Sequence, residues 1–275
     1  MMFTVGRNIR RKCGRLGLWA FSCLVIIFLI APILVVIVVS FNDTTLFELP
    51  PVRWSLRWYG TLLDSREWRE AFWLSLWVAA AVTALALMLG VPAGYALARS
   101  QFAGRRLLEF VLISPMIVPV IVLALALYAL FARLGLIGRP AGLLLAHTVL
   151  AIPVVIVIVG AAFRRADAGI ELAARACGAS FLRAFWSVSL PSVRPALISA
   201  GAFAFLTSFD EVVMALFIGG PGATTLPKRI WEAVKFELDP SLTAISTLLV
   251  GLTLIALLVA ELGRAKASRQ SHKEN

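Results

Sequence analysis

Six long apolar runs, separated by short polar segments, constrain the fold of this chain more than any other feature of its sequence. The runs occupy residues 18–41, 71–98, 107–132, 141–163, 193–218 and 243–262. A helix needs roughly 20 mostly apolar residues to cross the hydrocarbon core of a bilayer. Each run meets that requirement, and the whole chain is 60% hydrophobic with only 15% charged residues. We therefore predict an all-α integral membrane protein with about six transmembrane helices.

The basic residues are divided unevenly among the polar segments. With the N-terminus inside and six spans, 17 of the 26 lysine and arginine residues fall on the inner side and nine on the outer side. Because cytoplasmic loops carry the excess of basic residues, we predict that both termini are cytoplasmic. Residues 1–17 then form a basic N-terminal segment, 18–263 the transmembrane domain and 264–275 a cytoplasmic tail. Almost all of the net charge of +11 lies on the inner side of the predicted helices. We therefore expect contact with membrane lipid and no nucleic-acid partner.

Several kinds of active site are missing from the sequence. The three cysteines show no CxxC pairing and the two histidines lie far apart, so neither a metal site nor a cofactor is expected. No phosphate-binding GxxxxGK[ST] loop is present. An intramembrane protease would need an activated serine facing a histidine, and a secondary transporter would show inverted repeats. These two classes remain the less favoured alternatives to the interpretation developed below, and no catalytic residue is predicted.

The polar segment at residues 164–192 has the pattern of two short helices joined by a turn. Asp167 is placed to cap the first helix, and Gly178 to end it in a left-handed conformation. Ser180 can cap the second helix, which Pro191 is expected to end. From residue properties alone, this hairpin is either a surface for a partner protein or an interfacial element without one.

The same segment resembles the EAA loop of ABC-importer permeases. That loop has the pattern EAA, three residues, Gly, nine residues, Ile-x-Leu-Pro. The matching positions here are Ala173, Ala174, Gly178, Val188, Leu190 and Pro191. The sequence departs from the pattern at the glutamate of the motif, which is Leu172 here, with Glu171 one place earlier.

Further segments resemble the spermidine/putrescine-type permeases, in the subfamily of the second permease subunit. The similar segments are residues 40–43, 54–59, 207–213, 219–222 and 225–231. The resemblance implies a type I ABC importer permease fold in the bacterial cytoplasmic (inner) membrane. It also implies that the chain forms half of a pathway for a small solute, most simply a polyamine such as putrescine or spermidine, with another small organic solute as the alternative.

The resemblance also implies the partners of the chain. A second permease subunit, expected to be a different chain, would complete the pathway. Two cytoplasmic ATPase subunits would supply energy, and an extracytoplasmic substrate-binding protein would deliver solute. The residues expected to couple the chain to the ATPase are Glu171, Ala173, Ala174, Gly178, Leu190 and Pro191.

An adjacent acidic pair, Asp210 and Glu211, lies within the fifth apolar run. Ionisable groups in a span cost about 2.5–3.5 kcal/mol each on insertion scales, and therefore face protein or water. As residues of one helix they would occupy different faces. At least one of them lines the substrate pathway, with Ser208 and Phe209, and attracts a cation; the alternatives are that the pair binds an arginine of the partner subunit or that it holds an outer gate.

Two further expectations concern single features of the sequence. His147 lies within the fourth run and is expected to hydrogen-bond between helices. Residues 227–238 have the spacing of a short amphipathic helix that Thr225 could cap, packed against the outer leaflet or near the binding protein.

Overall fold

The computed structural model describes residues 2–44, 50–51, 53–237 and 241–254; these residues form helices joined by turns and short irregular segments, and their only extended pairing is an isolated bridge between Asn42 and Trp54. The α-helices are α1 Met2–Val39, α2 Arg57–Asp64, α3 Arg66–Arg99, α4 Arg105–Ile113, α5 Val120–Arg133, α6 Pro140–Arg165, α7 Ala168–Ala176, α8 Phe181–Ala184, α9 Leu190–Ser192, α10 Arg194–Phe209, α11 Val213–Ile218, α12 Leu226–Glu232 and α13 Ser241–Leu254. A 3₁₀ turn at Ser114–Met116 extends α4, and π-helical stretches occupy Phe185–Ser189 and Ala233–Glu237.

Three described helices are long and apolar enough to cross a bilayer: the Phe21–Val39 part of α1, α3 and α6. Two further candidate spans are pairs of helices with a bend between them, Arg105–Met116 with α5 at 100° and Phe181–Ser192 with α10 at 77°. The first pair covers the predicted run 107–132, whereas in the second pair only α10 belongs to the predicted run 193–218. If each pair is one span, the described residues hold five. The all-α class is therefore confirmed. Of the six transmembrane helices expected, the described residues contain three to five candidates. The sixth predicted run includes α13, and its last part lies outside the described residues.

Some prolines lie within continuous helices, and another lies at a break between two helices. Pro92 lies inside α3 and Pro153 inside α6, and both helices continue through them. The third run is instead interrupted where Pro119 directly precedes α5 in an extended conformation (ψ 129°). Proline has no amide hydrogen and disfavours helical backbone at the residue before it. The run expected to be one span at residues 107–132 is consequently two helices.

The chain divides into two compact units. One comprises residues up to Ser65 together with those from Ala233 onward, and the other is Arg66–Glu232. In the first unit, the segment after α1 folds back on itself. The indole Nε1 of Trp58 donates to the carbonyl oxygen of Asn42 at 2.8 Å, and the hydroxyls of Ser40 and Tyr59 are 2.6 Å apart.

In the second unit, helices α3, α6 and α10 pack against one another around a core of small and branched apolar side chains. The closest approach is between α3 and α6. Gly94 of α3 lies so near Gly160 of α6 that a Cβ at Gly94 would stand 3.2 Å from the Gly160 nitrogen and 3.3 Å from the Ile156 oxygen. Gly90, one turn earlier, faces Val155 in the same way. This GxxxG spacing lets two helix backbones meet where lipid offers no hydrophobic driving force.

We expect Gly94→Ala to lower the free energy of unfolding by about 1–3 kcal/mol, because the added methyl meets backbone atoms that cannot rotate away. Gly251→Ala in α13 is the matched control, since a Cβ there has no neighbour within 4 Å. Relief of glycine's backbone entropy should make the control neutral or stabilising by up to about 1 kcal/mol. Unfolding of the purified variants in mixed detergent micelles measures both, and equal effects of the two substitutions would contradict the close-contact interpretation.

Candidate functional site

Residues 167–192 form the hairpin that the sequence predicts, and its first arm is α7. The Oδ1 of Asp167 accepts a hydrogen bond from the Gly169 amide at 2.7 Å, which confirms the predicted cap. Gly178 has φ +93°, the left-handed conformation that glycine adopts most easily. The Ala179 amide donates to the Ala174 carbonyl and the Gly178 amide to the Arg175 carbonyl, at 3.1 and 3.0 Å. These two bonds form a Schellman motif, which ends α7.

The second arm runs from α8 through the π-helical stretch to α9. The Ser180 Oγ accepts from the Arg183 amide at 3.3 Å, so the predicted cap is present. Pro191 does not itself end this arm, because the continuous helical run Phe181–Ser192 extends one residue beyond it. The direction changes two residues later, at Val193, where the axis bends by 77° into α10.

A buried carboxylate lies on the inner face of the hairpin. Glu171 is 8% exposed, and each of its oxygens accepts one hydrogen bond from a buried hydroxyl. The Tyr95 hydroxyl, on α3, donates to Oε1 at 2.5 Å, and the Ser189 hydroxyl, on the second arm, donates to Oε2 at 2.6 Å. We refer to Tyr95, Glu171 and Ser189 as the carboxylate joint. Hydrogen bonds to an ionised acceptor are shorter and stronger than neutral ones.

The charge of Glu171 is maintained by its surroundings. Burial on its own raises the pKa of this carboxyl. The hydrogen bonds from Ser189 and Tyr95 act in the opposite direction, as do the positive charges of Arg99 and Arg175. The net result is a pKa below the ordinary value of a glutamate, so Glu171 is ionised at neutral pH.

Aromatic rings surround the carboxylate joint and connect three elements. The Tyr95 ring packs edge-on against Phe163 of α6 and Phe185 of the hairpin, with centroid distances of 5.1 and 4.9 Å. The Arg99 guanidinium, one turn beyond Tyr95, donates to the Ala166 carbonyl at 2.8 Å. The end of α3 therefore contacts both the end of α6 and the inner face of the hairpin.

The outer face of the hairpin is apolar and exposed. Its large side chains are between 50% and 65% exposed; they are Ile170, Leu172, Phe181, Leu182 and Trp186. The exposed side chain at the position of the motif's glutamate is therefore that of Leu172, while the acidic group one residue earlier points inward.

The six residues predicted to couple to an ATPase occupy different surroundings. Ala173 and Gly178 are exposed, Ala174 and Pro191 are half-buried, and Leu190 packs against the core. Glu171 is in the interior. The sequence did not reveal Tyr95 or Ser189 as members of this site, since Tyr95 lies 76 residues from Glu171 along the chain.

The acidic pair is not part of a helix, contrary to expectation. Helix α10 ends at Phe209, and the chain passes through Asp210 and Glu211 before α11 begins at Val213. Glu211 Oε1 accepts from the amides of Val213 and Met214 at 2.7 and 3.0 Å, and so caps α11. Asp210 is exposed. The two carboxylates therefore differ because one caps a helix and the other faces outward at a helix break.

The two residues before the pair are also in different surroundings. The Ser208 hydroxyl is 2.9 Å from His147 Nδ1, and both side chains are buried. The expected hydrogen bond of His147 between helices is thus confirmed, linking α6 to α10, and Ser208 takes part in helix packing. Phe209 is half-buried and stacks on Phe205, with a centroid distance of 5.6 Å and an interplanar angle of 13°.

The segment predicted to be an amphipathic helix is α12 followed by a π-helical stretch, and Leu238 lies outside the described residues. Leu226 is buried, and its amide donates to the Ser75 hydroxyl of α3 at 2.7 Å. The Arg229 guanidinium pairs with Glu67 at 3.1 Å. We expected the Thr225 side chain to cap this helix. Instead, the backbone carbonyl of Thr225 accepts a hydrogen bond from the Arg229 amide.

Sequence comparison assigns this arrangement of helices to a known group. The family model described as "Binding-protein-dependent transport system inner membrane component" matches residues 86–266, which include α6, the hairpin, α10 and α13. The match covers more than half of the chain.

Individual relatives extend the similarity over most of the sequence. The putrescine transport system permease protein PotI of Escherichia coli K12 is 37% identical over 88% of this chain and 89% of its own length. The spermidine/putrescine transport system permease protein PotC of the same strain is 30% identical over 90% and 94%. The molybdenum transport system permease protein ModB of Mycobacterium bovis is 33% identical over 75% and 83%.

A solved structure shares the fold. A chain in the crystal structure of a bacterial ABC transporter involved in the import of the acidic polysaccharide alginate superposes with a TM-score of 0.71. The superposition covers 91% of this chain and 96% of that chain, at 19% sequence identity.

The Gly178 turn provides a prediction about the hairpin. We expect Gly178→Val to accelerate hydrogen exchange at the amides of Cys177, Gly178 and Ala179, because a β-branched residue at φ +93° strains the turn by about 1–2 kcal/mol. Gly178→Asn is the matched control, since asparagine tolerates the left-handed region. Faster exchange in the valine variant than in the asparagine variant, measured by mass spectrometry, is the expected result, and identical exchange in both contradicts it.

Proposed function

Because this chain belongs to the family of binding-protein-dependent transport system inner membrane components, we propose that it forms half of the membrane pathway of an ATP-driven polyamine importer. Like its relatives, it is a transport subunit and not an enzyme. The observation that carries the substrate proposal is the 37% identity to a putrescine permease, which extends over 88% of the chain.

The proposed arrangement follows the distribution of charge. The hairpin and both termini lie on the cytoplasmic side of a bacterial inner membrane, where the basic residues are concentrated. A second, different permease subunit completes the pathway, and an extracytoplasmic binding protein delivers the solute. Two ATPase subunits bind beneath the hairpins, in agreement with the lack of a phosphate-binding loop in this sequence.

The outer face of the hairpin is the proposed contact with the ATPase. Ala173 and Gly178 are exposed residues with little or no side chain, and the neighbouring Leu172 is 62% exposed. A short, well-capped helix with small residues fits closely into a groove on a partner, and buried apolar side chains contribute most of the free energy of such a contact. Ala174, Leu190 and Pro191 are proposed to support this face from the hairpin interior.

Asp210 is the carboxylate proposed to contact a cationic substrate. It is exposed at the break between α10 and α11, where its amide donates to the Leu206 carbonyl, and its carboxylate forms no hydrogen bond or ion pair with any of the described residues. Glu211, in contrast, is proposed to hold the break open by capping α11, with Ser208 and Phe209 fixing the end of α10. A helix break within a span leaves polar backbone that must line protein or a water-filled cavity.

A second candidate function is import of another small solute. The 33% identity to a molybdenum permease shows that substrates of different chemistry occur among relatives of similar overall identity.

Reconstitution decides between these functions. The tagged chain, purified from its native membranes with its partner permease and ATPase, is placed in liposomes with the binding protein and ATP. We expect uptake of radiolabelled putrescine that requires ATP hydrolysis and is inhibited by spermidine but not by molybdate. ATP-dependent uptake of molybdate without uptake of putrescine contradicts the polyamine assignment.

The ATPase contact predicts a loss of function without a loss of protein. Ala173→Asp should abolish ATP-dependent uptake, because it places a charge in an apolar contact with the ATPase. The permease itself should still fold, because Ala173 is exposed in this chain. Ala103→Asp, at an exposed alanine in the connection between α3 and α4, is the control and should transport normally. Both variants are compared at equal membrane abundance, and normal uptake by Ala173→Asp rules out this contact.

The acidic pair predicts a difference between two conservative substitutions. Asp210→Asn should raise the KM for putrescine several-fold, about what one lost charge contact of 1 kcal/mol gives, because it removes a charge facing the substrate. Glu211→Gln should change transport little, since an amide oxygen still accepts from the Val213 and Met214 amides. Initial uptake rates over a range of putrescine concentrations, at one fixed concentration of binding protein, measure both, and a larger effect of Glu211→Gln than of Asp210→Asn reverses the assignment.

A further inference from the structure

We propose that the carboxylate joint is a force-bearing connection that makes the hairpin and the end of α3 move as one body during transport. Tyr95, Glu171 and Ser189 are then positioning residues that act through the helices they connect. This inference rests on the proposed function, because it assumes that the hairpin receives motion from an ATPase.

The joint connects three separate elements through one side chain. Glu171 belongs to the first arm of the hairpin, Ser189 to the second arm and Tyr95 to α3. Both carboxylate oxygens are occupied, at 2.5 and 2.6 Å. Removal of either hydroxyl therefore breaks one of the two hydrogen bonds to Glu171 and leaves the other in place.

Burial makes these bonds resistant to exchange with water. The exposed fractions are 8% for Glu171, 6% for Tyr95 and 4% for Ser189. In an environment of low polarity a charged hydrogen bond is stronger than in water, and an unpaired partner is more costly. The joint consequently has one favourable arrangement and no solvated alternative of similar free energy.

The helical backbone is interrupted at both ends of the hairpin. The hairpin is joined to the bundle at Ala166, which ends α6 in an extended conformation (φ −68°, ψ 141°), and at Val193, where the axis bends. Single residues between helices act as hinges. Motion of the hairpin reaches α3 through side chains: the joint supplies one hydrogen bond to α3 and one within the hairpin, Arg99 supplies one at Ala166, and Phe181 and Phe185 pack against Tyr95.

The choice of variants follows from the partners of the carboxylate. Glu171→Ala leaves two buried hydroxyls without an acceptor and endangers folding. Ser189→Ala and Tyr95→Phe each delete a single hydroxyl and keep the remaining bond to Glu171. Ser187→Ala is the matched control, since Ser187 is exposed in the same π-helical stretch.

The first measurement is hydrogen exchange of the hairpin in the assembled transporter. Ser189→Ala and Tyr95→Phe should accelerate exchange of amides in residues 168–192 about tenfold, the factor that corresponds to one lost hydrogen bond to a charged group. Ser187→Ala should exchange like the unaltered protein. Unchanged exchange in both joint variants overturns the proposal.

The second measurement compares putrescine uptake with ATP hydrolysis in the same proteoliposomes. We expect both joint variants to lose uptake while they retain hydrolysis, so that the ATP consumed per putrescine rises. A merely structural role lowers both rates in proportion, and that outcome contradicts a force-bearing joint even where exchange is faster. If the unaltered transporter shows no ATP-dependent uptake, the proposed function itself fails, and the coupling role with it.

Discussion

The close contact between the backbones of α3 and α6 is the constraint on which the rest of the described bundle depends. Gly94 and Gly160 allow these helices to meet with less than a side chain between them. The contact occurs near the ends of both helices, so it also fixes the residues that follow. Tyr95 is next to Gly94, and Phe163 lies one turn beyond Gly160. A wider separation of the helices would move the Tyr95 hydroxyl away from the carboxylate that it binds.

A charged group in this position is tolerated because its surroundings satisfy it completely. A buried carboxylate without partners would be neutralised or would destabilise the fold. Here two hydroxyl donors and two nearby arginines keep Glu171 ionised. The helix contact and the polar contact support each other, since the first holds Tyr95 in place and the second prevents the hairpin from separating from the bundle.

Local features of the fold could be predicted from the sequence, and long-range features could not. Asp167, Gly178 and Ser180 act on neighbouring amides, so their roles follow from residue type and spacing. The Tyr95–Glu171 bond joins positions 76 residues apart, and no periodicity in either segment indicates it. The acidic pair shows the same limit, because an apolar run favours one continuous helix although Glu211 caps a new one. The effect of proline is equally hard to predict from the sequence. Pro153 lies within a continuous helix, whereas Pro119 directly precedes the start of one.

The hairpin holds its carboxylate in the interior and exposes large apolar side chains beside it, and this separation has an evolutionary consequence. Glu171 is bonded to two buried hydroxyls of the interior, whereas Leu172 beside it is 62% exposed. Substitutions on the outer face can therefore accumulate without repacking the bundle. With the proposed ATPase contact on this outer face, a permease can diverge toward a new ATPase while its membrane half stays constant, and it can change its solute while the ATPase stays the same. Duplicated transporters in one cell can thus become specific for their own partners one face at a time.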